Sequence, residues 1–242
     1  MIEISKRLQT IGDMVKKGSI VADIGSDHAY LPTYLVQKRI ALRCIAGEVN
    51  YGPWQAAVRQ VQAAGLTDKI DVRLGDGLAV VALGEVDTIC IAGMGGSLIA
   101  SILEAGAEKL SGVSQLLLQP NVAAPIVRRW LLEHGFQLSR EKILEEDGII
   151  YEILEAVPGD PILPYRNRDK KLEDLLEIGP YLWEEKSPVL RKKLVQEQEK
   201  LKAVQHQLQY AKSPEAEHKK REVQKKLAWM EEMIACMQMD RE

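Results

Sequence analysis

Apolar and polar residues alternate along the first 160 positions in two rhythms. Short apolar runs at 20–24, 44–47, 70–74, 86–92 and 115–118 have the length and continuity of buried parallel strands. Between them the apolar residues fall on a helical period. Leu8, Ile11, Met14 and Val15 predict an amphipathic helix ahead of the first strand. Pro32 suits the first turn of the next helix, where its missing N–H costs little. Further helices are predicted over 53–64 and 124–134, each ending at a glycine, with a short one at 78–81 and another beginning at 98–103. The segments 136–145 and 148–157 read as two strands around Glu146-Asp147-Gly148. Five βα units closed by a hairpin predict a Rossmann-like α/β fold, a mostly parallel sheet with helices on both faces.

Pro158-Gly159-Asp160-Pro161 and Pro164 then punctuate the chain, which predicts a domain over 1–160 and a helical tail over 161–242. In the tail Leu190, Leu194, Leu201, Val204 and Leu208 recur at heptad-compatible spacing. After Ser213-Pro214, Val223, Leu227, Met230, Ile234 and Met237 do the same. Proline cannot continue a helix interior, so two helices are expected to fold back as an antiparallel coiled coil. Glu197 on the seam argues against a long dimeric coiled coil, and a monomer is favoured.

The strand ends carry the chemistry. Asp23 and Gly25 close the first strand, Gly47-Glu48 the second and Gly75-Asp76-Gly77 the third. Glu48 lies 23 positions beyond Gly25, near the offset at which doubly wound folds hold a ribose. The turn keeps only one glycine of a G-x-G-x-x-G signature and puts Asp27 where the second would stand. A carboxylate there repels a pyrophosphate. It suits a ligand with a cationic centre and no phosphate, and S-adenosyl-L-methionine has that chemistry.

Five blocks then carry a specific likeness: Asp23-Ile24-Gly25-Ser26-Asp27-His28-Ala29-Tyr30-Leu31-Pro32, Ala46-Gly47-Glu48, Arg73-Leu74-Gly75-Asp76-Gly77, Gly93-Met94-Gly95-Gly96 and Gln119-Pro120-Asn121. In this order they resemble the bacterial tRNA (adenine-22, N1)-methyltransferase family, from about Leu8 to Ala156. The resemblance implies a class I methyltransferase domain with a helical tail, S-adenosyl-L-methionine as cofactor and N1 of adenine 22 in tRNA as target.

Several residues keep two readings. Asp23 orders the turn or reaches the ligand's ammonium. Glu48 accepts from the ribose hydroxyls or is a solvated strand end. Asp76 and Gly77 receive the adenine of the cofactor, or form an ordinary turn. Gly93, Met94 and Gly95 let the backbone close on the methionine portion, since the Asn/Asp-Pro-Pro-aromatic segment of many amino-methyltransferases is missing. Asn121 pairs with an adenine edge or caps the following helix. Asp27 offsets the product's positive charge, Tyr30 stacks on a base and His28 bonds to ligand or backbone, or the two rings pack structurally. Asp23, Gly25, His28, Glu48, Asp76, Gly77 and Gly93–Gly95 are thus cofactor candidates, and Asp27, Tyr30 and Asn121 catalytic ones.

Composition sets the outer limits. The 242 residues are 46% hydrophobic and 28% charged, with no apolar run long enough to span a bilayer and no signal-peptide pattern. Cys44, Cys90 and Cys236 show no paired spacing, and His28, His134, His206 and His218 are scattered, so no metal site is expected. Buried thiols and a cytoplasmic setting follow. The net charge of −3 divides as −5 over 1–160 and +2 over 161–242. A tRNA contact therefore has to use local patches: Arg191-Lys192-Lys193 and Lys219-Lys220-Arg221 in the tail, with Arg128-Arg129 in the first domain. Such runs are otherwise solvated helix faces. A methyltransferase of another substrate class and a silent binding module remain the rival readings.

Overall fold

The computed structural model describes residues 2–209 and 213–239. Seven strands form one sheet: β1 (Ser19–Ile24), β2 (Ala41–Glu48), β3 (Ile70–Leu74), β4 (Thr88–Gly95), β5 (Gln115–Val122), β6 (Phe136–Glu146) and β7 (Ile149–Pro158). Their order is β3-β2-β1-β4-β5-β7-β6. The first five run parallel, and β7 enters antiparallel between β5 and β6. Asp147 and Gly148, both left-handed, close the β6–β7 hairpin as a two-residue turn.

Side-chain alternation explains the two covered faces. Ala22, Ile24, Ile89, Ile91, Leu116 and Leu118 join a core with Ile99 and Leu103 of α4 (Gly96–Ala105) and Val127 and Leu131 of α5 (Ala124–Glu133). The intervening Val21, Cys90 and Leu117 join the opposite core. There they meet Ile11 of α1 (Lys6–Met14), Leu31 and Leu35 of α2 (Tyr30–Gln37) and Val61 of α3 (Tyr51–Ala63). Cys44 and Cys90 are buried, and burial pushes both thiols far above their ordinary range.

Two strands outrun the sequence expectation. β4 continues to Gly95 and β5 to Val122, with register shifts around Met94 where Gly93 takes a φ of +78°. Gly93–Gly95 and Gln119–Asn121 thus belong to an irregular strand extension instead of free loops. Asn121 accordingly does not cap α5; left-handed Ala123 holds that position.

The chain divides into compact units at 181/182, twenty-odd residues beyond the proline-rich punctuation. The physical reason is α6 (Leu172–Ile178), whose Leu175, Leu176 and Ile178 are buried. Here the tail carbonyls bond to Arg128, expected to reach nucleic acid and instead 0% exposed. Its guanidinium donates from Nε to Glu141 at 2.7 Å, from Nη2 to Glu152, and from Nη1 to the Leu176 and Glu177 carbonyls. A side chain so enclosed cannot meet a phosphate. Arg129 is accessible and pairs with Glu173.

Beyond α7 (Pro180–Glu185), the second unit holds α8 (Pro188–Leu208) and α9 (Pro214–Met239), which pack together. Ser187 and Ser213 each accept an N-terminal backbone N–H. Leu190, Leu194, Val223, Leu227, Met230 and Met237 are buried as the spacing predicts. Gln198 and Met233 are buried too, while Val204 is exposed and Ile234 only half-buried. A 3.6-residue helix drifts off a strict heptad, which moves the contact line by one position. Among the described residues no helix is long and apolar enough to cross a membrane.

Candidate active site

The strand order reverses between β1 and β4, and the crevice at their carboxyl ends is where open α/β sheets bind ligands. Gly25, with φ +72°, turns the chain off β1, and the backbone N–H groups of Gly25 and Ser26 both donate to the Gly47 carbonyl. A Cβ on Gly25 would lie 2.2 Å from Met94 Cε and push the end of that side chain aside, and the positive φ by itself favours glycine at this turn. His28 and Ala29 follow in left-handed conformations, each costing about 1–2 kcal/mol. The His28 and Tyr30 rings stack on each other with centroids 5.3 Å apart.

Below this turn stand two buried carboxylates. Asp23, 5% exposed, accepts from the Ser26 hydroxyl, and burial raises its pKa to about 7 against that hydrogen bond, with Glu48 and Asp27 adding to the rise. Glu48 is 6% exposed, and burial first and Asp27 second raise its pKa. Among the described residues nothing hydrogen-bonds its carboxylate. Its oxygens have no protein donor and remain open to solvent, so they can accept from a ribose diol. Asp76 is exposed at the end of β3, beside Gly77 with φ +49°.

A cavity of about 280 Å³ opens at the switch point, lined by Arg7, Gly25, Asp27, Ala92, Gly93, Met94, Asn121 and Tyr151. Five predicted residues converge there: Gly25, Asp27, Gly93, Met94 and Asn121. Asp23, His28, Tyr30, Glu48, Asp76, Gly77 and Gly95 are not on its lining. Arg7 and Tyr151 come from outside any motif. Arg7 lies over the Tyr151 ring, 5.4 Å from its centroid. Neither had a spacing signal, since α1 and the antiparallel insertion of β7 bring them in. Val49, Leu74 and Val122 stand exposed around the same sheet edge, apolar surface that suits a flat ligand. Among the described residues no group of three His, Cys, Asp or Glu is placed to hold a metal ion.

A parallel sheet ordered 3-2-1-4-5-7-6 with an antiparallel seventh strand, acidic at its carboxyl edge, is the class I methyltransferase architecture. Residues 21–232 match the family model of tRNA (adenine(22)-N(1))-methyltransferase, and the chain belongs to that family. It is 44% identical over 234 residues to the Bacillus subtilis tRNA (adenine(22)-N(1))-methyltransferase, covering 96% of this chain and 98% of the relative. The crystal structure of the B. subtilis m1A22 tRNA methyltransferase superposes with a TM-score of 0.91, covering 97% of this chain and all of that one. A Streptococcus pneumoniae relative in complex with S-adenosyl-L-methionine is 42% identical, with a TM-score of 0.84 over 96% of this chain and all of that one. A Mycoplasma capricolum relative holding S-adenosyl-homocysteine is 26% identical, with a TM-score of 0.81 over 97% of this chain and 99% of that one.

Proposed function

We propose that this protein methylates N1 of adenine 22 in tRNA, with S-adenosyl-L-methionine as donor. The observation that carries the reading is the convergence of Asp27 and Asn121 with Gly25 and Met94 around one cavity, beside the donorless Glu48. Bound there, S-adenosyl-L-methionine supplies an electrophilic methyl on a sulfonium. Glu48 accepts from both ribose hydroxyls, and Asp23 faces the ammonium directly or through water. Asp76 and Gly77 receive the cofactor's adenine. Gly25, Gly93, Met94 and Gly95 enclose the methionine portion. His28 and Tyr30, stacked on each other, form the outer wall of the turn.

The acceptor nitrogen attacks with its own lone pair, so no base has to activate it. One C–S bond breaks, one N–C bond forms, and the positive charge moves from sulfur to the adenine ring. Asp27, exposed at the cavity, offsets that transferred charge, and Asn121 orients the base. The protein's share of the rate is alignment and exclusion of water. N1 lies on the pairing edge, so the target base is unpaired or flipped out.

The tail forms an antiparallel coiled coil that tracks phosphates through Arg191, Lys192, Lys193, Lys219, Lys220 and Arg221, with Arg129 on the first unit. Lys193, Lys219 and Lys220 pair with Glu197, Glu222 and Glu217. Exposed pairs of this kind contribute only about 0–1 kcal/mol and exchange readily for phosphate. A tRNA substrate places the enzyme in the cytoplasm. Incubation of unmodified tRNA with labelled cofactor, followed by nucleoside analysis, tests the reading. N1-methyladenosine at position 22 supports it, and label on another atom or position overturns it.

A further inference from the structure

Gln119 stands at the centre of a chain of hydrogen bonds that begins and ends on Gly93. Its Oε1 accepts from Arg7 Nη1 at 2.6 Å and from the Gly93 N–H at 3.0 Å. Its Nε2 donates to Asn121 Oδ1 at 3.1 Å, and Asn121 Nδ2 donates to the Gly93 carbonyl at 2.8 Å. A guanidinium and a backbone N–H can only donate, and a backbone carbonyl can only accept. With such groups at both ends, turning either amide over would set donor against donor or acceptor against acceptor. Asn121 is therefore fixed in one orientation, with one N–H and one carbonyl lone pair left for the cavity.

Arg7 is itself held in place from the other side. The Glu146 carboxylate accepts the backbone N–H groups of Lys6 and Arg7, at 2.5 and 3.1 Å, and so ties the first turn of α1 to the end of β6. The guanidinium then lies over Tyr151 of β7 and reaches Gln119 on β5.

We propose that Arg7 is a positioning residue for methyl transfer, locking Gln119, and through it Asn121, in the one amide orientation that presents both a donor and an acceptor to the target base. The inference rests on the functional reading above and adds the residue that sets its acceptor geometry. Without Arg7, Gln119 keeps a single donor on Oε1, and both amides gain freedom to reorient.

The test compares the full-length wild-type protein with Arg7→Met, Arg7→Lys and Gln119→Glu, all checked for folding by thermal unfolding. Arg7→Met is expected to lower single-turnover methylation at saturating tRNA by about tenfold or more, the worth of one lost charge-assisted bond. Its S-adenosyl-L-methionine affinity, read by calorimetry, should fall by less than the rate, because Arg7 lines the cavity while its own side-chain bond goes to Gln119. Arg7→Lys, which keeps a cationic donor, should recover part of the loss. Gln119→Glu is the discriminating variant, because it strengthens the bond to Arg7 yet puts an acceptor against Asn121 Oδ1. It should be at least as slow as Arg7→Met. Hydrogen exchange at the Gly93 amide gives a readout apart from activity and should quicken in Arg7→Met.

An undiminished rate in Arg7→Met or in Gln119→Glu overturns the inference. So does a loss confined to tRNA affinity with a shallower salt slope, which would make Arg7 a phosphate contact. Wild-type protein that leaves adenine 22 unmethylated overturns the functional reading itself, a result distinct from either.

Discussion

At the scale of single residues, the buried carboxylates at the strand ends make the sharpest demands. Glu48 has desolvation working against its charge and no donor from the protein. Glu48→Ala should weaken S-adenosyl-L-methionine binding by roughly 10–100-fold while leaving the fold intact, as calorimetry and circular dichroism can read together. Affinity equal to wild type would take Glu48 out of the site. Asp23 makes a different prediction. Burial raises its pKa from 3.8 to about 7, so the folded state holds this proton more tightly than the unfolded chain does. Its contribution to stability is complete below about pH 4 and disappears as the pH rises through 7. Asp23→Asn does not titrate, so the ligand-free variant should lose less thermal stability than wild type between pH 5 and 8. Identical slopes for the two proteins would show that Asp23 does not titrate in this window.

Elements carry the next set of consequences. Arg128 on α5 binds two buried carboxylates and two carbonyls near the end of α6, a closed arrangement that breaks badly if one partner is removed. Arg128→Met should cost about 3–5 kcal/mol in chemical denaturation, because Glu141 and Glu152 would both lose the buried guanidinium that they bond. A loss below 1 kcal/mol would mean that the carboxylates take up protons at little cost. This triad also marks where sequence reading stops. Continuous apolar runs located the parallel strands and period-3.6 patterns the helices to within a few residues, because the central strands are covered on both faces and each helix buries one stripe. Gly25, Asp27, Gly93, Met94 and Asn121 were legible as strand-end residues, since parallel topology gathers strand ends at one edge. Arg7, Tyr151 and the burial of Arg128 were not. Each depends on contacts between segments far apart in the chain, such as Arg7 with Gln119 or Arg128 with Glu177, and no local pattern encodes those.

For the whole molecule, the position of the boundary decides what can be cut away. Truncation after Pro161 removes Leu175, Leu176 and Ile178 from their buried sites and strips Arg128 of its carbonyl partners. That fragment should be unstable. Truncation after Tyr181 should leave a folded unit that binds cofactor normally. It should methylate tRNA poorly and show a flatter dependence of tRNA binding on salt, if the tail tracks phosphates. Equal tRNA affinity and salt slope for the two proteins would give the tail another purpose.

The placement of β7 has a consequence for the order in which the chain can settle during synthesis. Strand β6 is made before β7 yet touches the rest of the sheet only through it. Until Pro158 has been added, β6 has no hydrogen-bonded strand beside it and β5 is an open edge. Arg128 waits longer still, since its last two partners arrive with residues 176 and 177. The first unit is therefore complete only when Tyr181 is in place, with the 61 residues from Leu182 to Glu242 still to come. At about 5–20 residues per second that leaves roughly 3–12 s in which the catalytic unit can close before the tail is finished. A pause that holds β7 inside the ribosome after β5 and β6 have emerged would prolong the exposure of both bare strands, and aggregation during expression should be most sensitive to delay at that stage.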